Sequence, residues 1–143
     1  MREYLFRGKA TNRDPNHIYR TNYKNGDWVY GLVSDFENYR GFSVMTNTDG
    51  VSDIDVDKNT IGQYTGLIDR NGKKIFEGDI VKTKTCRLCE VYWFYSPNMS
   101  GWDLKPVEFK NPAPTTYDLF KSDNLEVVGN IYDNPELLEE SHK

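Results

Sequence analysis

Between Gln63 and Phe76 an Asn71-Gly72 pair stands between two apolar segments, Gln63-Tyr64-Thr65-Gly66-Leu67-Ile68 and Lys74-Ile75-Phe76. Asn and Gly tolerate the positive φ that a tight hairpin turn demands, so this stretch is committed to two antiparallel strands. A second such pair, Asn25-Gly26, leads into Asp27-Trp28-Val29-Tyr30-Gly31-Leu32-Val33. There Trp28, Tyr30 and Leu32 alternate with Val29 and Val33, the period of a strand with two unlike faces. Further strands are expected at residues 4–8, 41–46, 80–84, 90–95, 101–104 and 125–132, separated by turn residues. Residues 10–25 are polar, turn at Asp14-Pro15-Asn16, and read as a loop or arm. Another turn is expected at Asn47-Thr48-Asp49-Gly50 and a single helical turn at 115–121. Asn134-Pro135-Glu136 opens a short C-terminal helix over 134–140, with an N-cap, a first-turn proline and a carboxylate at the positive end of the dipole.

Composition decides what can fill the core. Aromatic residues are 14% of the chain while the whole apolar set is only 37%, so Tyr, Phe and Trp must supply much of the buried surface. The fold class is therefore mainly β, a small barrel or sandwich. The half from about Gly78 onward is expected as an SH3-like barrel: a Gly-Asp start, a first strand, a long aromatic strand and a closing strand. A chain of 143 residues makes one domain, here with lobes expected at 1–75 and 76–140.

Net charge is −4, so a general affinity for nucleic-acid backbone is not expected. The charge is uneven. Residues 1–25 carry six Lys/Arg against Glu3 and Asp14, a local +4, which leaves −8 for the rest. The N-terminus lacks the apolar stretch of a signal peptide, and no run is long enough to span a membrane. Only Cys86 and Cys89 carry thiols, which fits a reducing compartment.

Each motif with a chemical look has a plainer reading. Cys86-Arg87-Leu88-Cys89 has the spacing of a redox or zinc pair, but zinc wants about four ligands. The histidines, His17 and His142, stand near opposite ends. Asp53-Ile54-Asp55-Val56-Asp57 fails as a calcium loop, since Lys58 and Tyr64 occupy the places of the required Gly and Glu. It reads instead as a strand with carboxylates on one face. Gly66 to Lys73 misses the phosphate-loop spacing by one residue and lacks its Ser or Thr. No nucleophile elbow or triad pattern is present. The expected catalytic residues, metal ligands and cofactors are accordingly none. Aromatic residues Trp28, Tyr30, Tyr64, Tyr92, Trp93, Tyr95 and Trp102 are the best binding material, and most are needed for the core. Tyr92 and Trp93, as strand neighbours, face opposite sides.

Several strings together resemble the YopX family of small proteins encoded by phages and prophages. They are Phe6-Arg7-Gly8-Lys9, Asp27-Trp28-Val29-Tyr30-Gly31, the stretches 61–73 and 75–81, and Glu126-Val127-Val128-Gly129-Asn130-Ile131-Tyr132-Asp133-Asn134-Pro135-Glu136-Leu137-Leu138. The chain departs from the family look at 10–24 and at Lys58-Asn59. The resemblance implies a mainly β fold, a bacterial cytoplasmic setting, self-association, and no catalytic residue. The motif glycines at 8, 31, 62, 66, 72, 78 and 129 are expected at strand ends and turns. Arg7, Lys9, Gln63 and Tyr64 are polar positions that a fold does not obviously need; with Trp28 and Trp93 they are the candidate binding residues.

The expected function is that of a non-enzymatic module that binds a host or phage protein. The second reading is a binder of nucleotide or single-stranded nucleic acid, through the N-terminal cations and nearby aromatics. The third is an enzyme built on carboxylates that look unpaired in the sequence.

Overall fold

The computed structural model describes residues 4–11, 24–35, 42–46, 52–107 and 119–138. The expected turns at Asp14-Pro15-Asn16 and 47–50, both histidines, and most of the polar arm lie outside these. The chain divides into two compact units, 1–63 and 64–143. The boundary lies inside a strand, where the sequence reading puts its division of lobes at 75/76. The reason is packing: Ile75 and Leu67 belong to the core of the second unit.

The first unit holds β1 (Phe6–Ala10), β2 (Trp28–Asp35), β3 (Phe42–Thr46) and most of β4 (Ser52–Ile68), all antiparallel. β1 pairs with β2 on one side and with β4 on the other. Among the described residues its core comprises Ala10, Val29, Ile54 and Val56, with Ile61 against them. β4 is not regular. From Lys9 opposite Asp57 to Arg7 opposite Gly62, β1 advances two residues and β4 advances five. The surplus is folded out as a bulge. The Asn59 N–H donates to Asp57 Oδ1 (3.0 Å), and Thr60 Oγ1 accepts the Lys9 N–H (2.9 Å) while donating to the Asp57 carbonyl (2.6 Å). Lys58 and Asn59 are thereby exposed.

In the second unit the end of β4 pairs with β5 (Lys74–Phe76) through the expected Asn71-Gly72 hairpin, with Gly72 at φ +82°. A four-stranded antiparallel sheet follows, built of β6 (Asp79–Lys82), β7 (Leu88–Tyr95), β8 (Ser100–Pro106) and β9 (Glu126–Asn130) in the order β8-β7-β6-β9. Ile75, Val81, Cys89, Val91, Leu104 and Leu125 form its core. A 3-10 turn, Leu119–Asn124, precedes β9.

Two expectations are corrected. The molecule is mainly β as two antiparallel sheets, and the second unit is an open sheet, not a closed barrel. Its outermost strands have backbone donors already satisfied by side chains. On β8 the Leu104 N–H is taken by Asp103 Oδ1 (2.8 Å), and Pro106 has no N–H to offer. On β9 the Val127 N–H goes to Asp69 Oδ2 (2.9 Å) and the Asn130 N–H to Asn134 Oδ1 (3.2 Å). The C-terminal helix is a single 3-10 turn, Pro135–Leu138. Asn134, expected as its N-cap, has its side-chain oxygen engaged with Asn130 instead.

Asp69 organises the turn between β4 and β5. Its side chain is buried, with Oδ1 accepting the N–H groups of Asn71 (2.9 Å) and Lys73 (2.8 Å) and Oδ2 that of Val127. Burial alone raises its pKa; the three backbone donors, helped by the charge of Lys73, more than offset this and leave it lowered. A depressed folded-state pKa means stability that is fully present above the unfolded value of 3.8 and is lost as pH falls through the folded value. Asp69→Ala should cost about 3 kcal/mol, since donors buried around the carboxylate lose their acceptor. Urea denaturation at pH 7 measures that cost. The gap between variant and parent should narrow as pH falls below 3.8 and through the lowered folded-state pKa, because the parent then loses its carboxylate charge too.

Candidate functional site

Antiparallel register places Arg7 opposite Tyr30 and Lys9 opposite Trp28, so these four side chains share the outward face of β1 and β2. The Arg7 guanidinium carbon lies 4.5 Å from the centre of the Trp28 ring, and Lys9 Nζ lies 5.5 Å from it. Arg7 is only 5% exposed, so its attraction to the ring acts in a partly dry setting. Tyr30 and Leu32 continue the same face of β2 and are about half exposed. This is a surface of two cations around one indole, with an apolar border.

Gln63 and Tyr64 do not join it. Gln63 pairs with Phe6, and Phe6 faces the opposite side from Arg7. Tyr64 belongs to the second unit, is buried, and packs its ring 5.5 Å from that of Phe76 with Lys74 Nζ 5.4 Å away. Of the four polar candidates, Arg7 and Lys9 come together around Trp28.

Trp93 lies elsewhere, at the far end of the β7–β8 hairpin. On β7, Cys89 and Val91 are buried, and the same face continues past the core as Trp93, 46% exposed, and Tyr95, 77% exposed. Trp93 meets Trp102 across the strands edge to face, with ring centres 4.9 Å apart. The connecting turn is pinned by Ser96: its N–H and Oγ both donate to the Met99 carbonyl, and its Oγ accepts the Met99 N–H. Met99 is 64% exposed on that turn. Residues 91–102 carry no charge at all. That uncharged run is the signal by which Tyr95 and Met99 are recognisable as part of the surface.

The opposite face of β7 carries Glu90 and Tyr92, with Lys105 and Asp103 beside them on β8. Burial raises the pKa of Glu90, Glu77 raises it further, and Lys105 opposes both. Tyr92 is also raised, by burial first and then by Asp103 and Glu90. Its hydroxyl is buried without a hydrogen-bond partner among the described residues. Among the described residues no three His, Cys, Asp or Glu side chains are grouped to hold a metal ion, and no helix is long and apolar enough to cross a membrane.

The model of the YopX protein family matches residues 19–139. The chain belongs to the YopX family. A crystal structure of protein EF1440 from Enterococcus faecalis is similar, with 24% identity over 95% of this chain and 98% of that one and a TM-score of 0.46. No curated protein matches the sequence.

The YopX strings are largely accounted for by packing and turns. At Gly129 an added Cβ would sit 2.5 Å from Asn134 Oδ1 and 2.8 Å from its Cγ, so that position has no room for a side chain. Asn130 Oδ1 accepts the N–H groups of Tyr132 (3.0 Å) and Asp133 (2.8 Å), closing the turn after β9. Asp79 Oδ2 accepts the Phe76 N–H (2.7 Å) across the Glu77-Gly78 turn. The thiols of this YopX chain take unlike places. Cys89 is in the core, and Cys86 is exposed in the β6–β7 turn at φ +65°.

Two outcomes follow for purified protein. Cys86→Gly should stabilise by up to about 1 kcal/mol in denaturant titrations, because a side chain at positive φ costs energy that glycine avoids. Arg7→Met should destabilise by about 2 kcal/mol and Lys9→Met by under about 0.5 kcal/mol, since the attraction of a cation to a ring grows with desolvation.

Proposed function

We propose that this YopX-family chain is a non-enzymatic accessory protein, of phage or prophage origin and at work in the bacterial cytoplasm, that acts by binding a host or phage protein. The observation that carries this reading is the end of the β7–β8 hairpin. Trp93 and Tyr95 stand exposed at the end of β7, and Met99 on the turn fixed by Ser96, with no charge from 91 to 102. Large aromatic side chains on a preorganised support are the material of protein-interface hot spots, because they bury area with little ordering cost. Burying an uncharged tip also incurs no desolvation of ions. Base stacking is less favoured at the cationic face, where Arg7 and Lys9 already lie against the Trp28 ring. Reading the second unit as SH3-like belongs to the same proposal, supported by the Gly78-Asp79 start, the aromatic β7 and the closing β9 beside β6. That likeness of fold assigns no activity.

The test uses the whole chain as bait in lysates of bacteria carrying the phage or prophage. A Trp93→Ser, Tyr95→Ser variant that melts like the parent should capture its specific partner at least thirtyfold more weakly, the scale of a 2 kcal/mol hot spot. Equal capture by the variant would remove the hairpin reading. Retardation of single-stranded oligonucleotides that weakens steeply with salt would favour the nucleic-acid reading instead.

A further inference from the structure

Strand direction sorts the charges of the second unit. Between residues 70 and 89 the only carboxylates are Glu77 and Asp79, and both stand at the β5–β6 turn. Lys82 closes the other end of β6, opposite Glu126 at the start of β9. The β4–β5 turn arrives at that same end, since the Arg70 N–H donates to the Leu125 carbonyl and the Arg70 side chain pairs with Glu126. Residues 83–87 continue directly from Lys82, with Lys84 and Arg87 exposed. Arg70, Lys73, Lys82, Lys84 and Arg87 therefore gather at one end of the sheet. The acids that reach this end are engaged or offset. Asp69 holds three backbone N–H groups, Glu126 holds Arg70, and Asp123 shares its 3-10 turn with Lys121. The side chains of Lys82, Lys84 and Arg87 have no carboxylate or hydrogen-bond partner among the described residues. Their exposed neighbours on the two turns are Asn71, Gly72, Thr85 and Cys86, none of them large and apolar. A protein interface wants a buried aromatic or aliphatic anchor, and a single strand wants aromatic platforms for its bases. Phosphate oxygens are contacted instead by Arg, Lys, Asn and Thr side chains and by backbone N–H groups, which is the set these turns present.

We propose that this cationic end of the second unit binds the phosphate backbone of duplex nucleic acid without reading its sequence. Lys82, Lys84 and Arg87 each neutralise one phosphate. Arg70, already paired to Glu126, and Lys73, beside Asp69, add to the field around them. The whole-chain charge of −4 argues against a general affinity for such a backbone, but a duplex meets only the end it approaches. Exposed charges farther away than the screening length, about 10 Å at 0.1 M salt, contribute little there. The contact is electrostatic, so it is weak and governed by salt. It lies at the Leu88 end of β7, whereas the Trp93 and Tyr95 surface lies at the Tyr95 end. The two surfaces are separate, so this inference and the proposed function fail independently.

Fluorescence anisotropy of a labelled DNA duplex, titrated with the whole chain, tests it. Three neutralised phosphates predict a slope of about −3 for log affinity against log salt, a loss of about fortyfold between about 50 and 200 mM. The double variant Lys84→Gln, Arg87→Gln, two exposed changes, should bind at least tenfold more weakly at the lower salt, with the slope reduced to about −1. The Trp93→Ser, Tyr95→Ser variant should bind the duplex as the parent does. Thermal melts establish that each variant is folded; if the double variant melts early, Lys84→Gln alone decides, by a slope smaller by about 1. No binding at about 50 mM salt with about 100 μM chain overturns the proposal. So does binding unchanged by the Lys84 and Arg87 substitutions, or tighter binding to a single strand than to the duplex. Binding to vesicles of anionic phospholipid by a chain that ignores the duplex overturns it as well.

Discussion

Three backbone N–H groups converge on the carboxylate of Asp69, two from its own turn and one from a strand that begins more than fifty residues later. That convergence fixes the β4–β5 hairpin against β9. With the Arg70 N–H donating to the Leu125 carbonyl and the Arg70 side chain paired to Glu126, it sets where the last strand of the sheet can lie. A charge that accepts three hydrogen bonds is stabilised despite its burial, and each donor it satisfies is one that a small domain could not leave bare.

The same device recurs at the sheet's other boundary. Asp103 takes a backbone donor of β8 and Pro106 removes another, as Asn134 does for β9. Sheet edges with satisfied donors do not invite a further strand, which guards a small β protein against aggregation. It also limits how such a protein can recognise others. The exposed aromatic residues of this sheet stand on a face and at a hairpin end, not along an edge.

Local chemistry made part of this legible in the sequence. The Asn71-Gly72 turn, the strand around Trp28 and the aromatic β7 each depend on neighbours a few residues apart, and each is where it was expected. What depended on long-range partners was not legible. Asn134 looks like a helix cap until Gly129 is seen beneath it, with the Asn134 amide packed where a Cβ would stand. Gln63 looks like a companion of Arg7 until register puts it on the opposite face, a distinction of one residue in the strand period. The bulge at Asp57 to Thr60 follows from a hydrogen bond to Lys9, which no window of the sequence contains. For the candidate site, the grouping of Arg7 and Lys9 on one face follows from alternation, but their gathering around Trp28 needed the pairing of β1 with β2.

The fit of Asn134 over Gly129 bears on how such a chain can drift through evolution. Neither residue can change alone: a methyl at 129 strikes the amide, and a different residue at 134 strands the Asn130 N–H it was holding. Substitution there requires two coordinated steps through an unstable intermediate. A string constrained in that way reports on packing. It carries no information about which molecule its owner meets.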